Sequence, residues 1–260
     1  MKDWSSTQYL MFESERTQPA IDLANRIYIN DPKKILDIGC GPGNSTQVLA
    51  KKFPNSYILG IDNSPNMIET AKKDHHNLNF LTCDVDSNLS MLDNDFDVVF
   101  SNACIQWLPN HNKLLRNLAG LLKPGGILAV QIPMNYQEPI HQIIKEVSTS
   151  EKWKPEFAVQ RNYYNLTQGE YFDLLSEIST EFSIWETIYC HILKSHQDII
   201  EWYRGTGLRT YLDVLSNEKK IAFENDIRNK VMEAYPPQKN GKIIFRFPRF
   251  FFVAVSAALL

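Results

Sequence analysis

Three glycines at alternate positions behind an acid constrain this chain more than any other feature. Lys34 to Thr46 reads KILDIGCGPGNST: a short apolar run, then Asp37, then Gly39, Gly41 and Gly43 as D-x-G-x-G-x-G, then a helix start. A strand that becomes a helix over so few residues must turn sharply, and residues without a Cβ permit the backbone conformations such a turn needs. They also leave bare main chain against which a ligand can lie. Asn44 to Phe53, NSTQVLAKKF, carries Val48, Leu49 and Phe53 at roughly helical spacing, with Asn44 or Ser45 as the expected cap. The turn predicts a nucleotide-type cofactor site. It is not the dinucleotide fingerprint G-x-G-x-x-G, which after Gly39 and Gly41 requires a glycine where this chain has Asn44.

From Lys34 onward, strand-like and helical runs alternate: KILDIG, NSTQVLAKKF, YILGID, PNMIETAKKD, LNFLTCD, FDVVFS, NKLLRNLAGLL and GILAVQIP. That alternation predicts an α/β fold, a parallel sheet with helices on both faces. Right-handed crossovers then bring every loop that follows a strand to one edge. Asp37, Asp62, Asp84 and the Ser101 to Asn102 pair all fall at that edge. LKPGG at Leu122 to Gly126 reads as a helix stop and turn before a strand. After Pro133 the pattern loosens until Phe182 to Leu193, which alternates like a strand. Ser195 to Leu212 and Ser216 to Tyr235 have helical period and precede the strand-like KIIFRFPRFFFVAV, so a helical insertion is expected between the last two strands. The expected organisation is one domain over 1–260. It comprises a helical cover at 1–32, a cofactor-binding core at 33–133, a loop, helix and sixth strand at 134–194, the insertion at 195–241, and the last strand at 242–260.

Composition narrows the partners. The formal net charge of −3 lacks the basic excess that phosphate binding favours, so no nucleic-acid partner is expected. The apolar stretch Phe250 to Leu260 is too short to span a bilayer, and MKDWSSTQYL lacks a signal-peptide core, so no membrane association and a cytoplasmic location are expected. Cys40, Cys83, Cys104 and Cys190 form no C-x-x-C pair, and neither His75 with His76 nor His191 with His196 has ligand spacing. Reduced thiols and no metal are the expectation, and no obligate protein partner is evident.

Each strand end offers a candidate. Asp62 closes YILGID about twenty residues past the glycines, the spacing of a ribose-binding acid, although it equally suits a helix cap before Ser64. Met67, in the next turn, is placed to pack on a base, or simply in the core. Asp84, at the end of LNFLTCD, can accept an exocyclic amino group, or be a plain turn aspartate. Asp37 is expected to orient glycine amides or to contact a ligand's ammonium group indirectly. Asn102 and Gln106 follow the fourth strand, within reach of the cofactor tail.

Together these elements resemble the class I S-adenosylmethionine-dependent methyltransferases over Ile35 to Ile132. The resemblance implies a Rossmann-like sheet of seven strands, the last antiparallel. Over the whole length of the chain, DWSSTQYLMFESERTQPAIDL, GCGPGNST, GIDNSPNMI, SNACIQWLPNH, LAVQIP, SHQDIIEWYRGTGLR and FPRFF resemble the branch that methylates a carboxylate of a small tricarboxylic acid and releases S-adenosylhomocysteine, the N-terminal segment and the TGLR stretch being the distinctive marks. An ionised carboxylate needs no general base, so no catalytic acid or base is expected. The non-reacting carboxylates need cations, for which Arg204 and Arg246 lead, followed by Arg16, Arg209 and Arg249. Trp107, Trp202, Tyr136 and Tyr9 are candidates for the pocket wall. Two alternatives stay open at this point: a fatty or carrier-bound acyl carboxylate as substrate, with an apolar tunnel and fewer arginines, and a cofactor-binding regulator without transfer activity.

Overall fold

The computed structural model describes residues 11–257. Its elements in chain order are α1 (Glu13–Asn25), β1 (Lys34–Ile38), α2 (Asn44–Lys52), β2 (Tyr57–Asp62), α3 (Pro65–Asp74), β3 (Asn79–Thr82), β4 (Phe96–Asn102), α4 (His111–Ala119), β5 (Leu122–Pro133), α5 (Pro139–Thr149), α6 (Gln168–Ile178), β6 (Ser179–Leu193), α7 (His196–Arg204), α8 (Arg209–Leu212), α9 (Asn217–Ala234) and β7 (Ile243–Ser256). The strands form one sheet in the order β3-β2-β1-β4-β5-β7-β6. β1 to β5 pair in parallel, whereas β7 runs antiparallel to both β5 and β6. This is the class I methyltransferase sheet that the alternation and the resemblance predict.

Residues adjacent along a strand point to opposite faces, and the core divides accordingly. Ile35 of β1 packs with Ala20, Leu23 and Leu49 of α1 and α2, while Leu36 and Ile38 pack with Leu114, Leu118 and Leu174 of α4 and α6. Both faces are therefore covered, as a largely parallel sheet requires. The start of β5 departs from the expected turn: Leu122 already pairs with Phe96, and the register then jumps so that Val98 meets Ile127. Gly125, at φ +75°, carries the looped-out residues between.

The last two strands outrun the rest of the sheet. β5 ends with Pro133 opposite Arg249, but β6 and β7 stay paired from Ile188 and Pro248 to Leu193 and Ile243. A two-stranded ribbon thus projects past the edge where the parallel strands end. Helices α7 to α9 hang between its tips, and a second core joins Ile199, Ile200, Trp202, Tyr203, Phe223 and Ile227 to Ile140 and Ile144 of α5 and to Phe245 and Phe247 of β7. The helical insertion is thereby anchored above the crevice.

Candidate active site

The glycine turn differs in detail from its expected form. Gly43, at φ +98°, is the cap of α2, a conformation closed to Asn44 or Ser45 without strain. Ser45 and Thr46 instead donate to Asp37 Oδ2 at 2.6 and 2.7 Å. Asp37 is fully buried behind the turn, orients these hydroxyls rather than the glycine amides, and does not line the cavity. Burial, reinforced by Asp62 and opposed by the two hydroxyls, pushes its carboxyl up to about 6. Gly39, at φ +68°, has no room for a side chain, because a Cβ there would lie 2.2 Å from Cys104 Sγ.

A cavity opens in front of the turn. Gly39, Gly41, Asp62, Met67, Asp84, Asn102 and Gln106 all line it, so the strand ends meet as the topology requires. Asp62 Oδ2 accepts the Gly41 amide at 3.0 Å and Oδ1 accepts the Ser64 amide at 2.9 Å. Asp62 thereby braces the turn from the cavity side. Asp84 accepts the Asp86 amide and the Ser87 hydroxyl, with acceptor capacity left over. Met67 is buried against the cavity, behind the Ser64 cap of α3. Ala103, forced to φ +54° by the turn after β4, accepts from Gln106 Nε2 at 2.7 Å. Asn102 Oδ1 and Gln106 Oε1 are buried without a hydrogen-bond partner among the described residues. Bare glycine backbone, two acids at the cavity and two unsatisfied amide oxygens fit the adenosyl and aminopropyl parts of S-adenosylmethionine.

The insertion, β7 and the segment after α5 supply the remaining wall. Arg16, Arg249, Trp107, Tyr136 and Trp202 line it, joined by Asn135, His141, Arg161, Tyr163 and Tyr203. The Arg16 guanidinium sits 5.5 Å from the Trp202 ring centre and donates to the Trp202 carbonyl at 3.4 Å. Arg249 Nη1 donates to Gln131 Oε1 at 3.1 Å, with its guanidinium 4.6 Å from the Phe247 ring. Arg161 stacks on Trp107 and Tyr163 at 4.9 and 4.7 Å. Its Nε and Nη1 are buried without a hydrogen-bond partner, and among the described residues no carboxylate pairs with it. These cations leave a mark on their neighbours: burial and then Arg161 hold His141 down to about 3, and burial and then Arg249 hold His191 down to about 4.

Three expected arginines lie elsewhere. Arg204 makes a bidentate pair with Glu224, both contacts 2.6 Å, and a third bond to Glu201, also at 2.6 Å. It braces α7 against α9 and does not line the cavity, because two nearby carboxylates already occupy its fork. Arg246 alternates with the buried Phe245 and Phe247 and so faces outward, opposite the exposed Cys190. Arg209 pairs with Asp213 at 3.7 Å within its own helix region. Tyr9 lies outside the described residues. The sequence reading missed Asn135, His141, Tyr163, Tyr203 and above all Arg161, whose only mark in the sequence is its company, RNYYN, in a stretch without periodicity.

Comparison with known proteins agrees with this geometry. The model of the methyltransferase domain family matches residues 29–195. Among solved structures, the YcgJ protein of Bacillus subtilis superposes with a TM-score of 0.60 at 15% identity, covering 92% of this chain and 99% of that one. The chain belongs to the S-adenosylmethionine-dependent methyltransferases of class I. Within that class its relatives over nearly the whole chain include trans-aconitate 2-methyltransferases. That of Rhodopseudomonas palustris strain BisA53 is 41% identical over 98% of this chain and 99% of its own, and that of Escherichia coli O139:H28 is 39% identical over 98% of each.

Proposed function

We propose that the protein transfers the methyl group of S-adenosylmethionine to one carboxylate of trans-aconitate, giving a monomethyl ester and S-adenosylhomocysteine. The relatives' shared activity supports this reading. The observation that carries it is Arg161, a half-buried cation at the cavity whose Nε and Nη1 are buried and for which no carboxylate partner exists among the described residues. Such a cation is stabilised once an acid arrives.

The sheet order polarises the site. Asp62 and Asp84 come from the β2 and β3 side, Arg249 from β7 on the other, with Arg16, Arg161 and Trp202 packed above it. The cofactor's ribose and adenine belong at the acidic side and the polycarboxylate at the basic one. When bound, the cofactor supplies an electrophilic methyl on a sulfonium. A carboxylate oxygen would take that methyl, with the S–CH₃ pair left on the departing sulfur, and no proton would need to move. The chain's part is therefore orientation, which in favourable systems contributes about 7–11 kcal/mol. Arginines on the non-reacting carboxylates hold the acid without drawing electron density from the attacking oxygen. His141 and His191, kept uncharged, are not bases that this reaction needs.

An arginine-rich wall distinguishes this reading from a fatty or carrier-bound acyl substrate, whose chain would require an apolar tunnel. The substrate is a free small molecule, and a cytoplasmic setting suits it: among the described residues no helix is long and apolar enough to cross a membrane, and all four cysteines are free thiols. Incubation with S-adenosylmethionine and a panel of di- and tricarboxylic acids and fatty acids, with base-labile methyl ester as readout, tests the proposal. Trans-aconitate is expected to give the highest kcat/KM. Tight S-adenosylhomocysteine binding with no ester from any small acid would overturn it in favour of a regulator.

A further inference from the structure

Beside Arg161 runs a chain of hydrogen bonds that the transfer itself does not use. His141 on α5 is buried, with Nδ1 2.7 Å from Tyr163 Oη and Nε2 2.9 Å from Tyr203 Oη. Tyr203 Oη also receives the Asn135 amide at 3.2 Å. All four side chains line the cavity.

We propose that His141 is a positioning residue which, held as its Nδ1–H tautomer, makes Tyr163 present its phenolic hydrogen to a non-reacting carboxylate of the substrate. The inference rests on the polycarboxylate reading above. A neutral imidazole has one donor and one acceptor, so the direction of the whole chain follows from one end. At the Asn135 end the amide can only donate its hydrogen, and Tyr203 accepts it. Tyr203 is 2% exposed, and the one acceptor recorded for its own hydrogen is His141 Nε2. A buried donor left unsatisfied is costly, so Nε2 accepts and Nδ1 carries the proton. Nδ1–H then donates to Tyr163 Oη, and the Tyr163 hydrogen is left to turn outward, to solvent in the free protein, since the residue is 42% exposed, and to an acid once one enters the cavity. Burial and the Arg161 charge suppress the doubly protonated form.

The consequence is specificity. With this polarity, Tyr163 and Arg161, stacked at 4.7 Å, both have hydrogens to offer the cavity, which matches an ionised carboxylate, an acceptor at every site. The opposite tautomer would turn the Tyr163 hydrogen inward to Nδ1 and face the acid with lone pairs.

Nitrogen-15 NMR of histidine-labelled enzyme with bound S-adenosylhomocysteine reads the tautomer directly, whatever acid is methylated. A neutral Nδ1–H signal for His141 is expected, and an Nε2–H signal would overturn the proposal. In kinetics, Tyr163→Phe is expected to raise KM for trans-aconitate about tenfold, the loss of one hydrogen bond to a charged group, with kcat and S-adenosylhomocysteine affinity within about twofold. His141→Phe should do the same, the double variant no more, and His141→Asn, which keeps a donor near the Nδ1 position, should recover most of the loss. Unchanged KM in Tyr163→Phe, or additive effects in the double variant, would refute the relay. A wild-type enzyme that made no trans-aconitate ester would instead sink the substrate reading, while an Nδ1–H signal would still stand for the direction of the chain.

Discussion

Replacing Arg161 by methionine should separate binding from folding. Its Nε and Nη1 are buried without a hydrogen-bond partner among the described residues, and two such donors cost about 1–3 kcal/mol each. The opposing terms are stacking on Trp107 and Tyr163, about 1–2 kcal/mol each where the cation is desolvated. These nearly cancel, and methionine restores much of the lost packing. The Arg161→Met protein should therefore unfold within about 1 kcal/mol of wild type, on either side. With substrate the balance is one-sided: a charge-assisted bond to a carboxylate in a water-poor site is lost, about 1.5–3 kcal/mol, or roughly a 10- to 150-fold rise in KM for trans-aconitate. S-adenosylhomocysteine affinity should stay put. Denaturant melts, initial-rate kinetics and calorimetry with S-adenosylhomocysteine read the three quantities. A variant that loses several kcal/mol of stability while KM stays at the wild-type value would show Arg161 to be a strut, and the clamp argument would fail.

Other perturbations probe the remaining parts. Gly39→Ala should fail to fold well, since the added carbon would sit 2.2 Å from Cys104 Sγ; Gly41→Ala, with nothing within 4 Å of its Cβ, should cost the fold only about 1–2 kcal/mol for its φ of +54° yet weaken S-adenosylhomocysteine binding sharply by calorimetry. Arg204→Ala should lower stability by about 1–2 kcal/mol, a figure reduced for its partial exposure, and leave KM for trans-aconitate unchanged; a raised KM would return it to the binding site. Asp37 titrates near 6 in the fold against 3.8 as a free side chain, so its contribution is fully present below about pH 4 and is lost as pH rises through 6, by up to about 3 kcal/mol. Asp37→Asn should flatten that part of a melting-temperature profile of the free protein between pH 4 and 8, and parallel profiles would refute it.

The cofactor half was legible because its constraints are local. The turn, the acids at the ends of β2 and β3 and the helix after each strand all sit within short stretches whose periodicity is plain. The substrate half depends on contacts between distant segments. Arg161 gains its setting from Trp107 after β4, Tyr163 in its own loop and Gly207 after α7, and nothing in RNYYN announces that meeting. Arg204 and Arg246 were plausible only by the motifs around them. Yet both had readable warnings. Glu201 stands three residues before Arg204, one helical turn away, and supplies one of its partners. Arg246 lies between Phe245 and Phe247, and the period of two that buries those rings sends it to solvent.

The antiparallel β7 explains how a sheet common to many methyltransferases acquires an acid-binding roof. Had β7 run parallel to β5, its connection from β6 would have crossed a face and left the carboxyl edge open. Because it returns antiparallel, β6 and β7 continue together beyond Pro133, and the insertion between them lies directly above the cofactor turn. Arg249 sits where the ribbon leaves the sheet, opposite Pro133 on one side and Thr187 on the other, so its guanidinium is fixed by strand pairing rather than by a loop. Trp202 of α7 then packs against Phe245 and Phe247 of the same ribbon, and Arg16 of α1 lies over the Trp202 ring. On the reading proposed above, specificity is shared between what hangs from the ribbon and the segment after β5 that carries His141, Arg161 and Tyr163, while Asp62 and Asp84 belong to the parallel half. Exchanging the insertion should change the acid that is methylated and leave S-adenosylhomocysteine affinity intact, because Asp62 accepts the backbone amides of Gly41 and Ser64, neither of which the ribbon carries.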